Sequence, residues 1–352
     1  MKNVIFCPNW SKNNPYQKLL ANSVASNFNV SFSEIPLSSL PFSALLKENP
    51  NTDIIHVHWL TEVIQRILWA KSDAVFYTKL LLLVTDIANV RRKGVHVVWT
   101  IHNRYSHQQF DKKREEIIRK LFCKCVNRVI VHSLSAAKSL TPIYGKRFLD
   151  KVTIIPHGNY DGCYPKPKII SDSLSDSSEK PIRLLFFGTL RPYKGVLQLI
   201  DCYKIAAPEN TQLVIAGSTP DENYKSQIKK AAANCPQIIL KLGYLDDQLL
   251  IDSIEDADAI IVPFEDTLTS GSVILAMTQS KAIIAPKAAH IFDCIPTDNS
   301  LFYNDQNELE ALFQKLHKYD FAKLGRQNRE AANQFNWDAI GLKLAKLYGR
   351  LP

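Results

Sequence analysis

The pattern of short apolar runs constrains the fold of this chain more than any other feature. Each run is rich in Val and Ile, continuous rather than alternating, and bounded by Gly, Pro or polar residues. Continuous runs are typical of parallel strands buried on both faces of a sheet. Helix-length segments lie between most of them, which predicts doubly wound α/β architecture. The predicted strands are 3–7, 29–32, 53–59, 95–102, 128–133 and 152–156, then 182–187, 212–217, 237–242, 259–263 and 282–286.

A segment rich in Ser, Asp and Pro divides the two series of strands. Residues 165–181 read PKPKIISDSLSDSSEKP and have little to bury, as in a linker. A chain of 352 residues is also too long for one ordinary core. We therefore expect two Rossmann-like domains facing a cleft, at 1–164 and 182–334, and a final helix in 335–352. Ligands of such sheets bind beyond the carboxyl ends of the strands.

The positive charge lies in the first half of the chain. The net charge is +9, and residues 1–180 hold 25 Lys and Arg against 14 Asp and Glu, whereas residues 181–352 hold 18 against 20. A basic half can face nucleic acid, an anionic membrane or phosphate-bearing substrates, or be a merely soluble surface. No nucleic-acid recognition motif is present, so we expect no nucleic-acid partner.

Other features indicate a cytoplasmic protein. The N-terminus, MKNVIFCPNW, has too short an apolar stretch for a signal peptide. The seven cysteines lack zinc-site spacing and are expected to be free thiols. The most apolar segment, 74–90, is interrupted by Lys79 and Asp86 and is shorter than a bilayer span. It predicts a buried helix, or alternatively a membrane-surface helix followed by three basic residues, 91–93.

The stretch LFFGTLRPYKG, residues 185–195, predicts an anion site. A strand ends at Gly188 and a helix follows, so free backbone N–H groups and the helix dipole would point at a ligand. Arg191 adds a planar bidentate donor and Lys194 a point charge. A diphosphate fits best, and a solvated basic turn is the alternative. Neither a P-loop nor a G-x-G-x-x-G motif is present.

A second predicted anion site lies at 263–278, where another strand runs into a helix. Ser and Thr there can cap the helix, and a glycine lets a ligand approach the backbone. The residues of this helix start are Thr269, Ser270, Gly271 and Ser272. Glu265 and Asp266 precede them and can accept hydrogen bonds from sugar hydroxyls. The alternative is an ordinary capped helix beside two exposed acids.

Several of these segments together resemble the GT-B glycosyltransferases, especially family 4. FFGTLRPYKG at 186–195 is similar to the family's F-x-G-x5-K-G element, and 242–264 is similar to the segment before its donor loop. Residues 334–348 resemble its C-terminal Phe-x-Trp segment, whose helix usually crosses back onto the N-terminal domain. The strand ends HVHW, VVWTIHN, VIVHS and IIPHGNY match those of the family's first half. The resemblance covers nearly the whole chain.

The resemblance implies roles for individual residues. Lys194 matches the lysine that binds the donor diphosphate, and Arg191 would assist it, although the family's usual arginine position is Thr189 here. His102 matches a histidine near the transferred sugar. Tyr244 lies in the loop that lines the nucleotide base.

Two loops depart from the family pattern. Residues 13–16 lack the two glycines that often occupy the first N-terminal loop. The family's Glu-x7-Glu pair is replaced by Thr267 and Leu275, so either Glu265 or Asp266 takes over or the donor is held differently. The usual retention of anomeric configuration is therefore left open.

The resemblance as a whole implies a hexosyltransferase of bacterial exopolysaccharide or surface-glycan synthesis. Its donor would be a UDP- or GDP-sugar and its acceptor a glycan or a polyprenyl-diphosphate-linked chain at the inner membrane face, with peripheral association and no cofactor. The D-x-D sequence at 256–258 precedes a strand and is expected to cap a turn, so no metal site is predicted. GT-B enzymes generally use protein cations and helix dipoles in place of a metal.

Alternatives remain on the same residues. If the enzyme inverts configuration, His102 is the first candidate for the general base, and if it retains configuration, His102 contacts the sugar. The other strand-end histidines are more typical of structural hydrogen bonding; they are His56, His58, His107, His132 and His157. A GT-B sugar-nucleotide epimerase and a non-catalytic sugar-binding protein are the competing functions.

Overall fold

The computed structural model describes residues 1–12, 14–106, 110–168, 180–264, 267–296 and 301–351. The chain forms two compact units. Unit 1 comprises Met1–Gly158 and Phe335–Pro352, and unit 2 comprises Asn159–Gln334. Most of the predicted linker, at 169–179, lies outside the described residues.

Unit 1 is built on a six-stranded parallel sheet in the order β2-β1-β3-β4-β5-β6. Its strands are β1 (Lys2–Cys7), β2 (Phe28–Phe32), β3 (Ile54–Val57), β4 (His96–Thr100), β5 (Arg128–Val131) and β6 (Val152–Ile154). Its helices up to the unit boundary are α1 (Pro15–Ser23), α2 (Pro41–Glu48), α3 (Leu60–Leu68), α4 (Asp73–Arg92), α5 (Lys112–Cys125) and α6 (Leu134–Tyr144). Strands β3 to β6 are shorter than predicted, so that His58 and His102 fall just beyond β3 and β4.

Unit 2 contains a second six-stranded parallel sheet, in the order β12-β11-β10-β7-β8-β9. Its strands are β7 (Ile182–Phe187), β8 (Thr211–Gly217), β9 (Ile238–Leu242), β10 (Ala259–Ile261), β11 (Ala282–Pro286) and β12 (Leu301–Tyr303). Its helices are α7 (Val196–Ala206), α8 (Glu222–Ala232), α9 (Asp247–Glu255), α10 (Gly271–Thr278), α11 (Ala289–Phe292), α12 (Gln306–Phe313) and α13 (Phe321–Ala332). The prediction of two doubly wound sheets is confirmed, and β12 is a further strand that was not predicted.

The last helix, α14 (Trp337–Gly349), belongs to unit 1 and packs against α1. Gly341 makes the close approach possible, because a Cβ there would lie 2.1 Å from the backbone oxygen of Ser23. At the far end of α14 the buried Tyr348 hydroxyl lies 2.6 Å from Nδ1 of His56 in β3. The C-terminal segment therefore completes the core of unit 1.

Helix α4 accounts for the most apolar segment of the sequence. Ser72 caps it by accepting a hydrogen bond from the Val75 amide. One face packs into unit 1 through Phe76, Leu80 and Leu83, as expected for a buried helix, while the opposite face is exposed. Within the described part of the chain, no helix has the length and hydropathy needed to cross a membrane.

The contact between α14 and α1 gives a test of this packing. We expect Gly341→Ala to lower the free energy of unfolding of unit 1 by about 1–3 kcal/mol, because the added methyl group overlaps a backbone oxygen that must move. All five tryptophans belong to unit 1, so tryptophan fluorescence during urea unfolding isolates its transition.

Gly349→Ala is the matched control, because a Cβ there meets nothing within 4 Å. It should change the free energy of unfolding by less than about 1 kcal/mol. Equal midpoints for the two variants would contradict the close packing at Gly341.

Candidate functional site

Four consecutive strands of unit 1, β3 to β6, are each followed at their carboxyl ends by a histidine. These are His58, His102, His132 and His157. Because the strands are parallel, their carboxyl ends meet at one edge of the sheet. Tyr16 of α1 contacts all four imidazoles, with ring centroids 4.7 to 5.8 Å apart. We call these four side chains the strand-end histidine cluster.

Burial keeps the cluster neutral. It lowers the pKa of His132 to about 4 and that of His157 to about 3. Burial and repulsion between neighbouring imidazoles lower the pKa values of His58 and His102 well below the usual range. At pH 7 each ring therefore has one nitrogen that donates and one that accepts a hydrogen bond.

The hydrogen bonds of three of these rings run in one direction. His132 Nδ1 lies 3.0 Å from the carbonyl oxygen of Ile155, which can only accept, so Nδ1 donates and Nε2 accepts. His102 Nδ1, 3.3 Å away, must then donate to His132 Nε2. His58 Nδ1 in turn donates to His102 Nε2 at 3.4 Å. The donors run from His58 through His102 to His132 and end at Ile155.

One acceptor remains at the start of this chain. His58 Nε2 is buried and has no hydrogen-bond partner among the described residues. An imidazole that gains a proton at one nitrogen can release the proton of the other, so a proton received at His58 Nε2 can pass along the chain. Both nitrogens of His102 face other histidines, so His102 would act together with His58 and His132. Sequence reasoning singled out His102 alone, although histidines at adjacent strand ends were the signal.

His56 lies in β3, the strand that His58 follows, but it does not belong to the strand-end histidine cluster. Its Nδ1 lies 2.6 Å from the Tyr348 hydroxyl and its Nε2 lies 2.7 Å from Thr100 Oγ1. It is fully buried, and burial lowers its pKa to about 3. Nδ1 joins β3 to α14 and Nε2 joins it to β4, which is the structural hydrogen bonding expected from sequence. His107 lies outside the described residues.

The backbone after His102 is fixed to α5 by a buried ion pair. Glu115 and Arg119 are each at most 3% exposed, and Arg119 Nη2 lies 2.7 Å from Glu115 Oε1. The same carboxylate accepts hydrogen bonds from the amide and the hydroxyl of Ser106. Tyr105 donates to Glu116 at 2.7 Å. This arrangement holds residues 102–106 in place beside the cluster.

The neutral cluster makes the stability of unit 1 sensitive to acid. An unfolded histidine titrates near pH 6.5, above the folded values, so unfolding takes up protons and stability falls as pH drops below about 6.5. Between pH 7 and pH 5, the lowered pKa of His132 alone should reduce the free energy of unfolding by about 2 kcal/mol.

His132→Asn removes this titration while Nδ2 of the amide keeps a donor near the Ile155 carbonyl. Urea unfolding followed by tryptophan fluorescence at both pH values should show a smaller loss of stability for this variant than for the wild type. Equal losses would show that His132 is not held neutral in the folded unit.

The predicted diphosphate site of unit 2 lies between β7 and β10, where the order of the strands reverses. Gly188 follows β7 with a φ of +119°, a conformation that favours glycine. A Cβ at this position would lie 3.4 Å from Lys194 Nζ and 3.8 Å from Ser272 Oγ. The ammonium and hydroxyl groups therefore lie close to the same stretch of bare backbone.

Lys194 is a partly buried cation with no carboxylate within ion-pair distance among the described residues. Burial and then repulsion from Arg191 lower its pKa to about 8. Its Nζ lies 5.4 Å from the centroid of the Phe264 ring. Keeping an ammonium group away from water without a counter-charge is costly. The arrangement favours an anionic ligand at this position.

The four residues predicted at the start of α10 contribute differently to this site. Ser270 accepts a hydrogen bond from the Val273 amide, so its hydroxyl oxygen serves as the helix cap. Thr269 donates to the carbonyl of Leu268. Gly271 lies close to another side chain, because a Cβ there would be 2.9 Å from the hydroxyl of Tyr160. Of the four residues predicted here, Ser272 has its hydroxyl near Gly188. Sequence reasoning did not place Tyr160 at this site.

The remaining predicted residues are placed as follows. Tyr244 follows β9 and is 85% exposed, next to a Gly243 amide that donates to the Gly217 carbonyl at 2.9 Å. Glu265 and Asp266 lie outside the described residues. Leu275, at the position where family 4 carries the second Glu, is buried in α10.

The D-x-D sequence binds protein groups. Asp256 forms an ion pair with Arg183, and Asp258 accepts a hydrogen bond from the Arg183 amide at 2.7 Å. In the portion of the chain that the structure describes, no set of three or more His, Cys, Asp or Glu side chains is arranged to hold a metal ion. Asp256 and Asp258 therefore hold the start of β7 in place.

The lowered pKa of Lys194 predicts how diphosphate binding depends on pH. The ammonium form binds the anion, so affinity should be full below about pH 8 and fall as pH rises through that value. We expect the Kd for UDP or GDP, measured calorimetrically, to increase several-fold between pH 7 and pH 9, with proton uptake by the protein near pH 8.

Lys194→Met keeps much of the side-chain volume and is the test variant. It should lose most of the affinity and all of this pH dependence. Lys225→Met is the control, because that lysine lies on α8 and pairs with Glu222. A wild-type affinity that is constant between pH 7 and pH 9 would contradict the role of Lys194.

Comparisons with known proteins find glycosyltransferase family models in both halves of the chain. The sequence profile "Glycosyltransferase Family 4" matches residues 2–159, and "Glycosyl transferases group 1" matches residues 181–319. A curated relative is the GDP-mannose:glycolipid 4-beta-D-mannosyltransferase of Xanthomonas campestris pv. campestris, 24% identical over 234 residues. The match covers 66% of this chain and 61% of that enzyme. The chain thus spans about three fifths of the length of the curated relatives it matches.

Solved structures share the fold. HepE of Anabaena, in complex with UDP and glucose, matches with a TM-score of 0.74 and 13% identity, over 99% of this chain and 100% of that one. Sucrose-phosphate synthase of Thermosynechococcus elongatus matches with a TM-score of 0.72 and 16% identity, over 100% and 99%. A glycosyltransferase of Rickettsia africae matches with a TM-score of 0.67 and 14% identity, over 99% and 98%.

Proposed function

The chain belongs to the family 4-like glycosyltransferases of the GT-B fold, and we propose that it transfers a hexose from a nucleotide-diphosphate sugar to a glycan or lipid-linked acceptor. The observation that carries the proposal is the partly buried Lys194 at the carboxyl end of β7. A cation held ready before the ligand arrives can stabilise negative charge as it develops on a leaving group.

We propose that unit 2 binds the donor. Lys194 and Ser272 would hold the diphosphate over Gly188, with Arg191 assisting. Tyr244 would cover the base, and Glu265 or Asp266 would bind sugar hydroxyls. The Xanthomonas relative is named for GDP-mannose, and the Anabaena structure contains UDP and glucose. These names support a UDP- or GDP-hexose as the donor.

We propose that unit 1 presents the acceptor to the transferred sugar. The relative is named for a glycolipid acceptor, and the basic half of this chain suits an acceptor carried on a polyprenyl diphosphate. Such an enzyme would work at the cytoplasmic face of the membrane in the synthesis of bacterial exopolysaccharide or another surface glycan.

The strand-end histidine cluster would supply the base for an inverting reaction. The acceptor oxygen forms a bond to the anomeric carbon as the bond from that carbon to the diphosphate breaks. The hydroxyl proton passes to the histidine chain and the electron pair leaves with the diphosphate. If configuration is retained, His102 would contact the sugar instead. The word "beta" in the relative's name describes the linkage that the relative makes.

The first experiment is calorimetric titration with UDP, GDP, ADP and dTDP, followed by incubation with the matching sugar nucleotides. Binding of one nucleotide followed by transfer to an added glycan or glycolipid supports the proposal. Interconversion of the donor sugar without an acceptor would identify an epimerase. Failure of all four nucleotides to bind would remove the donor site from unit 2.

His102→Ala tests the histidine cluster. We expect turnover to fall at least tenfold while the Kd for the donor nucleotide stays unchanged, because the chain of hydrogen bonds is cut in its middle. Turnover is measured as release of nucleoside diphosphate under saturating donor.

His96→Ala is the matched control, because His96 begins the strand that His102 follows. Its turnover should stay near that of the wild type. A folded His102→Ala enzyme with normal turnover would exclude His102 from the mechanism and leave donor binding by unit 2 unaffected.

A further inference from the structure

The exposed side of α4 differs from an ordinary surface helix. The helix is 20 residues long, and Phe76, Leu80 and Leu83 on one side are buried. On the other side Tyr77 is 55% and Leu81 is 63% exposed. Solvent-facing sides of helices usually carry charged residues. Here two large apolar side chains lie one turn apart in solvent.

No free charge interrupts this exposed side for about four turns. Between Asp73 and Arg91 the helix carries two charged residues, and both bind protein groups. Lys79 Nζ donates to the Arg66 carbonyl at 2.9 Å. Asp86 is 1% exposed and accepts hydrogen bonds from the first amides of α2. The charges that broke the apolar run in the sequence therefore leave the exposed side uncharged.

A groove of mixed apolar and basic lining runs beside this helix. It has a volume of about 220 Å³, and its lining includes Leu37, Ile67 and Leu82 together with Arg66 and Lys79. Leu37 is 85% exposed, and Trp69, which follows α3, is 61% exposed. Exposed apolar side chains grouped around a groove indicate a binding surface.

Basic residues lie at both ends of α4. Residues 91–93 are Arg-Arg-Lys at its C-terminal end, and all three are exposed. At its N-terminal end, α5 begins with the basic residues 112–114. Arg114 Nη2 lies 2.7 Å from Asp73, so the acidic residue at this end is already paired. An uncharged apolar strip is therefore flanked by positive charge.

We propose that the side of α4 formed by Tyr77 and Leu81, with Trp69 and the adjoining groove, docks on the anionic surface of a phospholipid bilayer. Tyr and Trp favour the interface between lipid and water, and Lys and Arg attract anionic headgroups. The proposal rests in part on the proposed function, since a lipid-linked acceptor would reach the enzyme at this surface.

The test is flotation of the full-length protein with vesicles. One set is phosphatidylcholine, and the other contains about one third phosphatidylglycerol. We expect binding to the anionic vesicles that weakens with salt, and weaker binding to the neutral ones. The double variant Tyr77→Ser/Leu81→Gln should lower the partition coefficient at least tenfold. Arg92→Gln should weaken binding to the anionic vesicles more than to the neutral ones.

Leu342→Gln is the matched control, because Leu342 is 74% exposed on α14 of the same unit. It should bind vesicles as the wild type does. Absence of wild-type binding, or equal binding by the double variant, would overturn the proposal. Sedimentation velocity tests whether a second copy of the chain covers this side instead. A wild-type dimer that the double substitution converts to a monomer would make this side an interface between two copies.

Nucleotide titration of the same proteins separates the two proposals. The double variant should bind UDP or GDP as the wild type does, because its substitutions lie in unit 1. Normal nucleotide binding without vesicle binding would overturn the membrane surface and leave the proposed transferase function in place. Vesicle binding without nucleotide binding would overturn the proposed donor site and leave the membrane surface in place.

Discussion

The parallel pairing of buried strands is the constraint on which both candidate sites depend. In a parallel sheet all carboxyl ends lie at one edge, so residues far apart in sequence become neighbours when each follows a strand. This places four histidines together in unit 1 although they are spread over about a hundred residues of chain. In unit 2 it brings the turn after β7 next to the segment after β10.

Charge is treated differently at the two sites. Glu115 and Arg119 are buried as a hydrogen-bonded pair, so their charges are compensated within unit 1. Lys194 is partly buried with no such partner among the described residues. A paired charge holds backbone in place, whereas an unpaired one favours a ligand of opposite sign. The histidines of unit 1 avoid the problem by remaining neutral at pH 7, because burial lowers their pKa values.

The sequence was sufficient for the fold, and the site residues remain predictions. Continuous Val- and Ile-rich runs predicted the two sheets, and Gly188 with Lys194 predicted an anion turn that the structure places beside Ser272. The direction of the hydrogen bonds between the histidines was not predictable. It is set by the backbone carbonyl of Ile155, and a backbone carbonyl is present in every residue. The partners of Lys79 and Asp86 were hidden too, since they are backbone groups of α3 and α2. Interactions with the backbone leave little trace in the side-chain pattern.

The place of α14 in unit 1 has a consequence for synthesis of the protein. Chains emerge from the ribosome from the N-terminus, and domains generally fold as units when their residues become available. Unit 2 is continuous, so all its residues are present once Gln334 has emerged. In unit 1, His56 and the side of α1 that packs against α14 are not covered until residues up to Tyr348 have emerged. The half of the chain that is made first is therefore the half that finishes folding last, and until then its apolar edge is available to chaperones.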